Sequence, residues 1–228
     1  MYHGRRWCTF GACLVGWLST NAHAAGPYAV DDATIGDVGQ CHVESWVSAA
    51  DNGDIIVLTQ PACVVRLGIP VEVTTTLQGV RVEGLWAALL GLQGKFILLP
   101  FDARGLAIAM AIGTLADADR GESLTFVNVP FTIKIGDDFR LNVNTGWSFN
   151  SISDTNHFTW GAGLEWDLQK SWTLVAEIFG QTTIRTEPRM QLGVRHSPTK
   201  DIDIDIVYGH NIAGENANWI TAALTVRF

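Results

Sequence analysis

The chain has 228 residues, with 23 acidic against 15 basic side chains and a formal net charge of −8. So acidic a chain is a poor partner for nucleic acid, because phosphate binding needs clustered Lys and Arg. Its length is that of one domain of ordinary size.

Residues 1–24, MYHGRRWCTFGACLVGWLSTNAHA, read as a secretory signal peptide. Arg5 and Arg6 make a positive start, Trp7 to Leu18 is an uncharged apolar stretch, and Ala22 and Ala24 are the small residues a signal peptidase reads. A spanning helix needs about 20 apolar residues and this run is shorter. Cleavage after Ala24 removes Cys8 and Cys13, and Cys13 lies too early in the apolar stretch for a lipid-attachment cysteine. Residues 25–38, AGPYAVDDATIGDV, carry no clear strand pattern. They form either a periplasmic N-terminal segment or a partial plug in the interior, and the sequence leaves both open.

Cys41 and Cys63 remain, with the hairpin-turn signal Asp51-Asn52-Gly53 between them. A hairpin folded about Asn52 sets the two sulfurs opposite each other, so a disulfide is expected in an oxidising compartment rather than free thiols or a metal pair. From Val71 onward apolar and polar residues alternate between turn signals. In FRLNVNTGWSF, Phe139, Leu141, Val143, Trp147 and Phe149 face one way and Arg140, Asn142, Asn144, Gly146 and Ser148 the other. FTWGAGLEWDL (158–168) behaves the same way. Strands of about 11 residues cross a bilayer when tilted.

The same rule marks 125–135, 172–180, 190–197, 201–210 and 217–228. Asp201 to Ile206, DIDIDI, puts isoleucine on one face and aspartate on the other, so its polar face must meet water. Gly84–Leu99 and Gly105–Ala116 are apolar enough to suggest buried helices, but Gly91, Gly94 and Gly113 and the large-and-small alternation of the second run favour strands. With a hairpin over 40–66 and a strand over 70–78, the prediction is an all-β, antiparallel up-and-down transmembrane barrel of about twelve strands over 39–228. Counting back from the C-terminus, tight connections (197–200, 169–171, 136–138) alternate with longer ones, the asymmetry of short periplasmic turns and long external loops. Aromatic residues on the apolar face sort into two belts, Phe139, Trp166, Trp172 and Phe228 at one end and Trp86, Trp147, Phe149, Phe158 and Tyr208 at the other.

In these features the chain resembles the Gram-negative outer-membrane β-barrel proteins, porin-like or of transporter type. The resemblance implies an outer-membrane location in contact with its lipid. It also implies that the last strand, with Ile220, Leu224, Val226 and the final Phe228, is the signal read by the barrel-assembly machinery. A narrower stretch, AVDDATIGDVGQCHVESW (29–46) followed by Pro61-Ala62-Cys63 and GENANWIT (214–221), is similar to outer-membrane barrels named for an association with phenol degradation. That implies at most the passage of small aromatic compounds.

On the polar face the carboxylates Glu44, Glu72, Glu165, Asp167, Glu177, Asp203 and Asp205 accompany the cations Lys95, Lys134, Arg140, Arg195 and Arg227. Mixed charges across a narrow lumen suit either a closed barrel locked by ion pairs or a selective pore. Glycines 146, 161, 163 and 193 would leave free volume beside them. The leading reading is a passive channel for a small solute, with Arg140, Glu165, Glu177, Arg195, Asp203, Asp205 and Lys134 as lumen or selectivity candidates. A structural barrel whose loops bind a partner comes second. A lipid hydrolase comes third, since His157 near Ser151 and Ser153, His196-Ser197 and His210-Asn211 lack a convincing serine and Ile212 stands where one is needed. Asp201, Asp203 and Asp205 alternate as a solvated wall would, so no metal and no cofactor are expected.

Overall fold

The computed structural model describes residues 27–117, 120–182, 188–212 and 217–228. The expected signal peptide at 1–24 lies outside these residues. The strands are β1 (Cys41–Ala50), β2 (Ile55–Leu67), β3 (Ile69–Val82), β4 (Leu85–Leu99), β5 (Leu106–Asp117) and β6 (Ser123–Ile135), then β7 (Phe139–Asn150), β8 (Thr155–Gln169), β9 (Trp172–Gln181), β10 (Arg189–Thr199), β11 (Ile202–Asn211) and β12 (Asn218–Arg227). Each pairs antiparallel with the next and β12 pairs with β1, so the sheet closes into a twelve-strand barrel without a free edge. Both apolar runs that resembled helices are the strands β4 and β5.

The alternation is inside-out relative to a soluble domain. On β11, Ile206 is 54% exposed while its neighbour Asp205 is 0% exposed, and on β4 and β6 Leu92 is 56% and Asn128 1% exposed. Outward apolar and inward polar faces suit a wall between hydrocarbon and an aqueous interior. The expected belts lie on the outer surface: Phe139 stacks on Trp166 with ring centroids 5.5 Å apart, and Trp147 and Tyr208 at the opposite end donate hydrogen bonds to Asn156 and Asn218.

An even strand number puts the start of β1 and the end of β12 at one end of the barrel, here called the terminal end. The expected contrast in connection length holds from β6 onward. It fails earlier: the opposite-end turns 51–54 and 83–84 are tight, whereas 100–105 at the terminal end is longer. Those two turns suit positive φ, which Gly53 and Gly84 supply at 90° and 83°. The long terminal-end connection is organised by Asp102, whose carboxylate accepts from the Arg104 and Leu106 amides.

At the closing seam the Cys41 amide donates to the Phe228 carbonyl (3.0 Å), and the Phe228 amide donates to the Cys41 carbonyl (2.9 Å). Cys41 also stands opposite Cys63 in the β1–β2 register and is disulfide-bonded to it. The residue that receives the chain's last hydrogen bonds is thus covalently tied to the next strand.

Alkylation of the unreduced, folded protein followed by mass measurement should leave Cys41 and Cys63 unlabelled. By the loop-closure relation, replacing both with serine should cost about 3 kcal/mol for a loop of this length. Two labelled cysteines would remove the cross-link.

Candidate functional site in the barrel lumen

The inward charges fall largely into cross-strand pairs, because facing residues on adjacent strands share a side of the sheet. Arg140 on β7 stands opposite Glu165 on β8 and bonds it at 2.9 Å, with Asp167 at 3.4 Å. Arg195 on β10 stands opposite Asp205 on β11 and bonds it at 2.9 Å. Arg227 on β12 reaches Asp203, which also accepts from the Ser197 hydroxyl at 2.6 Å. Five of the expected lumen residues, Arg140, Glu165, Arg195, Asp203 and Asp205, therefore belong to mutually neutralising groups along the wall. Lys134 lies apart from them: it is exposed near the terminal end, with its ammonium 4.0 Å from the centre of the Phe101 ring.

Glu177 has another task. Residues 27–38 enter the lumen as a strap, and Glu177 accepts hydrogen bonds from the Ala29 and Val30 amides (2.9 and 3.2 Å) and from the Gln191 side chain (2.7 Å). Asn144 takes the next residue in two directions, accepting from the Asp31 amide and donating to its carbonyl, both at 2.7 Å. The Thr132 hydroxyl accepts from the Ala33 amide at 2.7 Å, and the Tyr28 hydroxyl donates to Asp205 at 3.0 Å. Four amides of this segment, those of Ala29, Val30, Asp31 and Ala33, are thus satisfied by wall side chains, as burial requires. On the opposite wall Lys95 of β4 holds Asp31 at 2.8 Å and Asp32 at 3.4 Å. Burial alone would raise the Asp32 carboxyl, but Lys95 and hydrogen bonds from Thr34 hold it below its ordinary value.

The wall is cut to receive the strap. A Cβ at Gly161 would lie 2.8 Å from Val30, one at Gly163 3.3 Å from Val30, and one at Gly193 2.5 Å from the Tyr28 hydroxyl oxygen. The inner face of β5 is small for the same reason, since Ala33 packs on Ala107 and Ala109. The free volume expected beside glycines 161, 163 and 193 is therefore occupied by the strap. At Gly146 a Cβ would meet Thr159 Oγ1 and the Val127 carbonyl, each at 2.6 Å, so this glycine marks close wall packing and not open space.

Beside the strap lies a cavity of about 330 Å³, bordered by His42, Glu44, Glu72, Gln93 and Lys95 from β1, β3 and β4 and by Arg140, Arg195 and Arg227 from β7, β10 and β12. A second space of about 530 Å³ opens at the terminal end, and the same three arginines line it too. They lie between the two spaces. At the opposite end, Ile56, Val80, Val82, Leu89 and Leu115 form a buried apolar cluster with Trp46 against it. These side chains point inward, so part of the lumen is apolar.

Residues suggested for other chemistry are engaged elsewhere. His157 bonds Thr155 Oγ1 (3.0 Å), His196 the Ser171 carbonyl (3.1 Å) and His210 the Asn218 side chain (2.8 Å). Asp203 and Asp205 are held by arginine, and Asp201 sits at the β10–β11 turn. Sequence reasoning held Tyr28, Asp31 and Asp32 only within a segment that could be a periplasmic tail or a partial plug, without singling them out, and ranked Lys95, Asn144 and Arg227 below the leading candidates. A double acid ahead of the first strand and an inward lysine within a long apolar run were the available signals.

The fold is similar to several solved outer-membrane barrels. The COG4313 outer membrane channel from Pseudomonas putida F1 matches with a TM-score of 0.67 at 9% identity, covering 86% of this chain and 98% of that one. The KdgM porin in complex with disordered oligogalacturonate matches with a TM-score of 0.66 at 8% identity over 82% and 99%. The NanC porin matches with a TM-score of 0.63 at 8% identity over 81% and 98%. At such identities the likeness is one of fold: the chain has the closed barrel that these outer-membrane proteins share. No curated protein sequence matches it. Residues 13–228 match the family described as "Uncharacterised conserved protein UCP029691", and the chain belongs to that family.

Proposed function

We propose that this protein is an outer-membrane channel that passes small solutes without an energy source. The observation that carries this reading is that Arg140, Arg195 and Arg227 border both the lumen cavity and the terminal-end space. Polar room therefore lies both at the barrel mouth and in its middle with the same arginines between, and charged side chains so placed act on passing ions by local electrostatics. With the tight turns of the second half facing the periplasm, the terminal end and the strap's point of entry lie on the periplasmic side. The fold shared with porins and channels supports the same reading.

A closed structural barrel is the second reading, and the strap favours it. Its hydrogen bonds to Thr132, Asn144 and Glu177 on one side and its ion pair with Lys95 on the other span the lumen, and the paired arginines would lock the wall. Both readings place the chain in the outer membrane, and both use the final strand for assembly.

Removing Phe228 should impair membrane assembly more than synthesis, because its amide and carbonyl complete the β1–β12 seam. Folded protein should migrate differently on a detergent gel before and after boiling. Unchanged assembly would show that the last residue is not the signal.

In planar bilayers the mature protein should conduct, and a version lacking residues 25–38 should conduct more. Arg140→Glu should move ion preference toward cations, whereas reversal at Asp154, in the β7–β8 connection, should have much less effect. If neither form gives current or solute uptake in liposomes, the channel reading falls. Loss of stability on replacing Arg195, which would strand the buried Asp205, would then support the closed barrel.

A further inference from the structure

Glu72 on β3 and Lys95 on β4 are direct cross-strand partners on the inner face. In a bare barrel that register would pair them. The strap prevents it, because Lys95 directs its ammonium to Asp31 and Asp32. Glu72 consequently meets no cation at ion-pair distance among the described residues. The other cations on the cavity wall are no help: Arg140, Arg195 and Arg227 are each already held by a carboxylate.

A second observation falls at the same place. Gln93, one inward position along β4 from Lys95 and opposite Thr74, is 5% exposed and borders the cavity, and its side-chain oxygen has no hydrogen-bond donor. Asp31 Oδ2, on the strap, also lacks a donor, and like the Gln93 oxygen it is closed off from open space in this arrangement. Buried acceptors are normally satisfied, so this wall has acceptors in excess and donors in deficit. A cavity of about 330 Å³ is at the lower end of the range that holds small molecules. Among the described residues no group of three or more His, Cys, Asp and Glu is placed to hold a metal ion.

We propose that the lumen cavity is a binding site for a small primary ammonium ion, with Glu72 as its counter-ion and Gln93, its side-chain oxygen turned toward the cavity on binding, as a further acceptor. A primary ammonium brings one positive charge and three donors on a compact head, which is what Lys95 would have given Glu72. The strap makes the site by taking the lysine. An anion would have to compete with carboxylates for arginines already paired, so small carboxylates should bind poorly. The proposal rests on the channel reading for the solute's access to the lumen, but its test does not require conduction.

The test uses the folded full-length mature protein in detergent, checked by its shift on an unboiled gel, and calorimetric titration at constant ionic strength. Propylammonium should bind saturably and propionate should not. Glu72→Gln, which keeps shape and removes charge, should weaken propylammonium binding at least tenfold, and Glu72→Asp should recover part of it. Gln93→Met should give a smaller loss. Absence of saturable propylammonium binding, equal binding of propionate, or a Glu72→Gln protein within twofold of the parent would each overturn the site. Current in bilayers together with any of these would leave the channel standing without the site. No current, but propylammonium binding that disappears in Glu72→Gln, would leave the site standing without the channel.

Discussion

In hydrocarbon no water is available to the backbone, so every N–H and C=O in the wall must find its partner within the sheet. Each failure costs several kcal/mol. Only a strand row that closes on itself meets this condition, and here closure depends on β12 meeting β1. The paired amides and carbonyls of Cys41 and Phe228 finish the seam, and the disulfide to Cys63 secures the strand that receives them. Closure by an even number of antiparallel strands also brings the start of β1 and the end of β12 to one end of the barrel, which puts the segment just ahead of β1 at the mouth of the lumen.

Once closed, the barrel confines its polar face. Charged side chains gathered in a narrow space must neutralise one another or remain hydrated. The β7–β12 wall meets that demand locally, with Arg140, Arg195 and Arg227 each beside an acid on a neighbouring strand. Glu177 is the exception, a carboxylate met by amide hydrogens of the strap and by Gln191 instead of by a cation. Across the lumen Lys95 faces two claims, one from its cross-strand partner Glu72 and one from the strap acids, and it answers the strap. The two walls are thus coupled through residues 27–38, and the charge balance of one depends on where that segment lies.

Length, alternation and aromatic placement were enough to read the architecture, down to the pairing of Cys41 with Cys63, because in a sheet side-chain direction has a strict period of two and a tight turn sets the register of its hairpin. The lumen candidates Arg140, Glu165, Glu177, Arg195, Asp203 and Asp205 were placed on the inner face for the same reason. Local pattern carried less far at Lys134, whose inward parity says nothing of its position near the barrel's end, and at the first hairpins, where the turns 51–54 and 83–84 broke the expected order of connection lengths.

The sequence by itself determined which residues look outward and which inward, since that follows from each strand's own alternation. Only the tertiary structure decided what the inner face touches. Glycines 161, 163 and 193 were legible as missing side chains, but that Val30 and Tyr28 would fill the space depends on contacts across more than a hundred residues of chain, which no local period encodes. The same holds for Lys95: its strand and register put it beside Glu72, and the strap, entering from outside the sheet, draws it away.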